Sequence, residues 1–267
     1  MSQDITARTV RISDLVPSVK RAMKRKRPVF IWGPPGVGKS EVVEGIATEL
    51  GGIAIDIRLG MYEPTDIRGM PYYDKNTGKM VWAPPIDLPT EEMAAKYPVV
   101  VLFLDEMNQA SPSVQGAAFQ LILNRKVGQY TLPENVVVVA AGNRETDKGV
   151  TFRMPTPLRN RFTHLELAVN FDDWQDWAVK NNIHPDVVGY LNFAKSDLFD
   201  FDPRASGNAF ASPRSWTFVS EYLYDEEDDV DVTDNQLTDL IAGTVGEGIA
   251  VKSVSYTHLT LPTRDDV

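Results

Sequence analysis

Six residues, Gly33 to Gly38 (GPPGVG), hold three glycines and two prolines. They sit between an apolar run, PVFIW, and a helix-forming run, KSEVVEGIATEL. A chain that places so many helix breakers directly before a helix must leave a strand, turn sharply and then enter the helix. With Lys39 and Ser40 the segment fits G-x-x-x-x-G-K-[ST] in full. Glycine supplies the backbone angles that turn amides inward and allows close approach to a bound group. The helix N-terminus adds partial positive charge toward an anion. The segment Gly33, Pro34, Pro35, Gly36, Val37, Gly38, Lys39, Ser40 and Glu41 is therefore the candidate phosphate cradle. Lys39 is placed to reach terminal phosphates, and the Ser40 hydroxyl to hold Mg²⁺.

The remaining pattern extends this unit into an α/β sheet. Ser13 is read as the cap of a helix running to about Lys26. IAIDI is a second strand, and YPVVVLFLDE and VVVVAAGN are continuously apolar, as central strands of a parallel sheet covered on both faces must be. FTHLEL is a fifth strand. MPYYDKNTGKMVWAPP reads as two short strands around a turn at 76–78, a hairpin inserted in a helical region, and KVGQYTLPEN as a smaller hairpin. From about residue 171 only short amphipathic helices follow. The expected organisation is an α/β nucleotide-binding domain over 1–170 and an all-α lid over 171–252. The acidic run DEEDDVDVTD lacks the glycine and terminal glutamate of an EF-hand loop and is read as solvated surface.

Four further motifs carry chemistry. Asp105 ends a buried strand, where it can orient water on a metal, and Glu106 beside it can polarise an attacking water. Asn143, ending AAGN, offers an amide that can bond both that water and a γ-phosphate. In TPLRNRF, Arg159 and Arg161 precede the fifth strand, and a guanidinium supplied from a neighbouring molecule can neutralise charge on the transferring phosphoryl group. Arg214 in SPRSW opens a lid helix, from which it could meet phosphate on closure.

In this order, GPPGVGKS, VVVLFLDE, AAGN, LRNRF and SPRSW resemble the Walker A, Walker B, sensor 1, arginine-finger and sensor 2 motifs of AAA+ ATPases. EPTDIRGMPYYDKNTGKMVWAPP resembles the helix-2 hairpin of the MoxR group and its dynein- and midasin-related neighbours. The resemblance covers roughly residues 12–251. It implies a P-loop sheet of strand order 5-1-4-3-2, ATP and Mg²⁺ as ligands, and ATP hydrolysis. Ser40 and Asp105 would serve the metal, Glu106, Asn143 and Arg161 catalysis, and Arg214 the nucleotide, with Arg159 a second candidate finger. It further implies a ring, commonly a hexamer, with ATP between subunits, and remodelling of a protein alongside a von Willebrand factor A-domain partner encoded elsewhere.

Composition trims the alternatives. Cysteine is absent, which excludes disulfides and thiolate metal sites. No apolar run approaches the roughly 20 residues that span a bilayer, and the start lacks a secretion-signal pattern, so a cytoplasmic location is expected. A formal net charge of −10 opposes a DNA-coating role. Lys20, Arg21, Lys24, Arg25, Lys26 and Arg27 form a local basic cluster that a nucleic-acid-processing motor would use; a solvated helix face with a basic last turn is the plainer reading. A non-catalytic nucleotide switch ranks last, because the expected carboxylate and sensor are both present. His164 and His184 are isolated and read as structural. Residues 254–263 back-translate into a transposase-library sequencing adapter, so 253–267 is expected to be read-through, with a truncated lid.

Overall fold

The computed structural model describes residues 7–260 except 148, 150, 206 and 225–231. Most of the acidic run, 225–231, and the last part of the adapter-like tail, 261–267, therefore lie outside the described residues.

The chain opens with strand β1 (Arg8–Val10) and helix α1 (Ile12–Lys24). Strand β2 (Val29–Trp32) leads through the glycine-rich loop into α2 (Lys39–Glu49), and β3 (Ile53–Arg58) follows. Next come α3 (Pro64–Arg68), the antiparallel strands β4 (Met70–Asp74) and β5 (Lys79–Ala83), and α4 (Glu91–Ala94). Strand β6 (Val100–Asp105) feeds α5 (Pro112–Asn124), capped by Ser111. The short pair β7 (Lys126–Val127) and β8 (Tyr130–Thr131) precedes β9 (Val136–Gly142), α6 (Thr156–Arg159) and β10 (Thr163–Leu167).

Six strands form one parallel sheet in the order β1-β10-β2-β9-β6-β3. Leaving out β1, this is the expected 5-1-4-3-2 arrangement. β6 is buried along all but its last residue and β9 along its whole length, which is why both read as unbroken apolar runs. Around them Phe30, Leu102, Leu104, Ala140, Val114 and Leu121 form the core. The register pairs Trp32 with Gly142, Leu104 with Ala140, and Arg58 with Asp105. The carboxyl ends of β2, β9, β6 and β3 therefore finish side by side, the edge at which open α/β sheets bind ligands.

One expectation needs correction, and one strand was missed. Ser13 does not cap α1: the helix starts at Ile12, Arg11 occupies the N-cap with extended backbone angles, and no side chain caps it. Propensity for serine at an N-cap was overridden by the register that buries Leu15, Val19 and Met23. The edge strand β1 was not foreseen; three residues, two of them exposed, carry no apolar signature. The basic cluster is partly neutralised, since Lys20 pairs with Glu49 and Lys26 with Glu134.

Contacts group residues from 169 onward, together with 36–38, into a second compact unit. It contains α7 (Phe171–Lys180), α8 (Pro185–Phe193), α9 (Pro213–Leu223), α10 (Asp234–Val245) and α11 (Glu247–Thr260). Trp174, Tyr190, Leu191, Trp216 and Val219 make its core. Asp197 ties it together: its carboxylate accepts from Tyr190 Oη at 2.5 Å, and its carbonyl accepts from Trp216 Nε1 at 2.9 Å. No helix among the described residues is long and apolar enough to cross a membrane.

Candidate functional site

Gly36 and Gly38 adopt φ of +76° and +87°, a region that L side chains rarely occupy, so the loop turn requires glycine there. α2 begins at Lys39, a residue only 8% exposed. Its ammonium donates to the carbonyls of Gly33 at 2.8 Å and Pro34 at 2.9 Å, and to Asn143 Oδ1 at 3.0 Å. A buried charge is tolerated only when its donors are satisfied. The β2–β9 pairing makes this possible, because it brings Asn143, one residue past β9, to the loop that follows β2.

Ser40 Oγ donates to Asp105 Oδ2 at 3.2 Å, joining the start of α2 to the end of β6. A hydroxyl and a carboxylate converging on one point are hard oxygen donors. That small set fits Mg²⁺, which keeps several waters and completes its shell with substrate phosphates. The neighbouring field is anionic. Burial first, and then the negative charge of Asp105, holds the Asp56 carboxyl above its ordinary value, against the opposing Arg58 guanidinium.

Glu106 sits in the left-handed region with φ of +53°, unusual for a non-glycine residue. Its amide donates to Asp105 Oδ1 at 2.7 Å, and its carbonyl accepts from Gln109 N at 2.8 Å. Backbone held in this region carries a cost of order 1–3 kcal/mol and persists where the surroundings over-determine it. The turn separates the two acids: Asp105 stays with Ser40, while the Glu106 carboxylate reaches Gly60, where an added Cβ would lie 2.9 Å from Oε2.

The peptide after Asn143 is braced by residues that sequence reasoning passed over. Asn108 Nδ2 donates to the Asn143 carbonyl at 2.7 Å, and Arg144 N donates to Asp147 Oδ2 at 2.9 Å. The Arg144 guanidinium also reaches Asp147 Oδ1 at 2.8 Å and Glu166 Oε1 at 3.2 Å. Nothing in a lone Asn, Arg or Asp marks such a role. The available signal was the clustering of polar residues immediately after two buried strands, in DEMNQ and GNRETD.

The family described as "ATPase family associated with various cellular activities (AAA)" matches residues 29–168, more than half of the chain. The chain belongs to the AAA family.

In this AAA protein hydrogen bonds join Lys39 to Asn143 and Ser40 to Asp105, and Glu106 follows Asp105 directly. Glu41 lies in the first turn of α2. Arg159 and Arg161 stand apart at and just beyond the end of α6, with Arg161 exposed. Arg159 donates to Thr156 Oγ1 at 3.2 Å. Its carbonyl accepts from His164 Nε2 at 2.8 Å, while His164 Nδ1 accepts from Trp32 Nε1 at 3.0 Å, so that histidine is held between two partners in the sheet. His184 caps α8, its Nδ1 accepting from Asp186 N at 3.2 Å. Arg214 belongs to the second unit, in the first turn of α9 behind the cap Ser212.

Relatives are distant. A midasin of Giardia intestinalis is 24% identical over 181 residues, 65% of this chain and 4% of the midasin. A Lon protease of Aquifex aeolicus is 27% identical over 182 residues, 62% of this chain and 21% of the protease. The chain thus spans a small part of either relative. The structure of NtrX from Brucella abortus in complex with ADP matches with a TM-score of 0.51 at 15% identity, covering 95% of this chain and 56% of that one. That last likeness is one of fold.

Proposed function

We propose that this AAA protein hydrolyses ATP with Mg²⁺ and couples turnover to the remodelling of a protein partner, in the manner of the MoxR group. The observation that carries the hydrolytic part is the bonded set Lys39–Asn143 and Ser40–Asp105, with Glu106 turned out of line beside it. The amides from Gly33 to Ser40 cradle the phosphates, and Arg214 serves as a further nucleotide-binding residue. Lys39 exchanges its loop carbonyls for phosphate oxygens, so the cradle is held in shape before nucleotide arrives. Ser40 and Asp105 would hold Mg²⁺, which when bound spreads the charge of the phosphates. Glu106 accepts a proton from the attacking water, and the Asn143 amide holds that water against the γ-phosphate without adding charge.

The remodelling part is supported by the midasin similarity and by the exposed hairpin β4–β5, which carries Tyr72, Tyr73 and Met80 at 52%, 60% and 61% exposure. In this reading the exposed Arg161 acts as a finger across a subunit boundary in a hexameric cytoplasmic ring, Arg159 supports it, and a von Willebrand factor A-domain protein is the partner. The ion pairs on Lys20 and Lys26 leave less basic surface for a nucleic-acid motor.

Glu106→Gln tests the hydrolytic claim. The variant should bind ATP as the parent does and release phosphate at less than about a hundredth of its rate, general-base catalysis being worth 10²–10⁴-fold. Turnover at the parental rate would refute the assignment of Glu106.

A further inference from the structure

Asn108 is 2% exposed, on the loop after β6. A residue needed there only to fill space would be apolar. A buried amide must find partners for its donors and its acceptor, because an unpaired polar group keeps the full penalty of leaving water. Asn108 meets half of that demand. Nδ2 donates to the Asn143 carbonyl at 2.7 Å, while Oδ1 is buried without a partner among the described residues. Rotating the amide by half a turn would not help, because Oδ1 would then face the Asn143 carbonyl oxygen. The orientation is therefore set by the one bond it makes.

That bond falls on a particular peptide group. The C=O of the Asn143–Arg144 peptide accepts from Asn108, and the N–H of the same peptide donates to Asp147 Oδ2 at 2.9 Å. The plane is gripped from both sides. Asp147 is itself 7% exposed and pinned by the Arg144 guanidinium, so it is a fixed jaw. Asn108 is fixed by its backbone, its carbonyl accepting from Phe152 N at 2.6 Å, while Met107 N donates to the Ala141 carbonyl at 3.0 Å. With the following peptide plane held, the Asn143 backbone cannot shift to carry its side chain away from Lys39 Nζ, 3.0 Å off. The clamp also bears on Gly142. A Cβ there would lie 2.2 Å from Asn108 Oδ1, 2.9 Å from its Cγ and 3.0 Å from Phe30 Cζ, so the asparagine amide, with the Phe30 ring beside it, takes the place of a side chain at 142.

We infer that Asn108 is a positioning residue that, with Asp147 as the opposite jaw, clamps the Asn143–Arg144 peptide and so holds the Asn143 amide at the γ-phosphate position. The inference rests on the hydrolytic reading above.

The test compares the parent with Asn108→Ala, Gly142→Ala and the double variant Asn108→Ala/Gly142→Ala. Turnover, ADP affinity, affinity for a non-hydrolysable ATP analogue and the melting transition are measured for each. Asn108→Ala should keep ADP affinity within about twofold and lose about 10- to 100-fold in kcat, the scale on which misplacement of about 1 Å acts. Gly142→Ala alone should melt lower than the parent. In the double variant the asparagine contacts are gone and only Phe30 Cζ, 3.0 Å from the new methyl, still crowds position 142, so the transition recovers part of the way toward that of Asn108→Ala while kcat stays low. Parental turnover in Asn108→Ala, or recovery of kcat together with stability in the double variant, would overturn the clamp and leave Asn108 a packing residue. Should the parent itself bind nucleotide without hydrolysing it, the hydrolytic reading fails. The clamp is then judged by affinity alone: Asn108→Ala should weaken the ATP analogue relative to ADP by several-fold, and an unchanged ratio would overturn it.

Discussion

Gly60→Ala should make the protein more stable and slower at once. Gly60 lies in a single 3₁₀ turn, Leu59–Met61, outside the left-handed region, so alanine fits its backbone. Replacing glycine at a compatible position stabilises by about 0.4–1 kcal/mol through the unfolded chain. For a chain of this size that is about 1–3 °C in Tm. The new methyl, however, would lie 2.9 Å from Glu106 Oε2, where ordinary contact begins at 3.4 Å, so the carboxylate must retreat by the difference, about 0.5 Å. The other neighbours, Gln109 Cβ and Glu106 Cβ at 3.6 Å, are already at ordinary contact, and the flexible carboxylate is what yields. If about 1 Å of misplacement costs about 10²-fold, half of that costs about tenfold in kcat. Phosphate release at saturating Mg²⁺-ATP and a thermal melt on the same preparation read both quantities. Parental kcat would show that the Glu106 carboxylate does not work from the place it holds here. A fall in Tm alongside kcat would show that the loss is one of folding.

Two further outcomes follow from the structure. Tyr190→Phe removes the 2.5 Å bond to Asp197, whose carboxylate then keeps, among the described residues, Lys252 Nζ and Ser196 Oγ, both longer than 3 Å. A bond to a charged acceptor is worth about 1.5–3 kcal/mol, so the melting transition of the protein should fall by about 3–12 °C, and an unchanged melt would contradict this. In the β4–β5 turn, Thr77 Oγ1 and then the Asn76 amide hold the Asp74 carboxyl below its ordinary value. The sign is that of a depressed acid: the contribution is full above the ordinary carboxylate value and is lost as pH falls through the lowered one. Amide exchange at Gly78, whose N–H donates to the Asp74 carbonyl, should quicken in that acid window beyond its intrinsic trend, and Asp74→Ala should abolish the excess.

The sheet was legible because its central strands are buried on both faces. VVVLFLD and VVVVAAG could hardly be anything else, and the breaker-rich loop between β2 and α2 anchored the strand order. The edge strand β1 escaped notice because three residues with two exposed side chains show no period. The helix start at Ile12 was misjudged because burial of Leu15, Val19 and Met23, and not capping by Ser13, sets its register. At the site, the residue types of Lys39, Ser40, Asp105, Glu106 and Asn143 announced themselves, since their chemistry is local to short motifs. What holds them did not. The left-handed turn at Glu106, the space left by Gly60 and the grip of Asn108 on the Asn143 peptide arise from chain segments that meet only once the sheet has formed.

The central claim is that the loop from Gly33 to Ser40 receives a triphosphate beside acids arranged to activate water. A crystal structure with a non-hydrolysable ATP analogue and Mg²⁺ tests it most directly. The account predicts the γ-phosphate against Lys39 Nζ and the Asn143 amide, the metal on Ser40 Oγ and near Asp105, and the Glu106 carboxylate facing a water in line with the terminal phosphorus. An empty loop at saturating analogue, or a bound nucleotide with Glu106 turned away from its γ-phosphate, would contradict it.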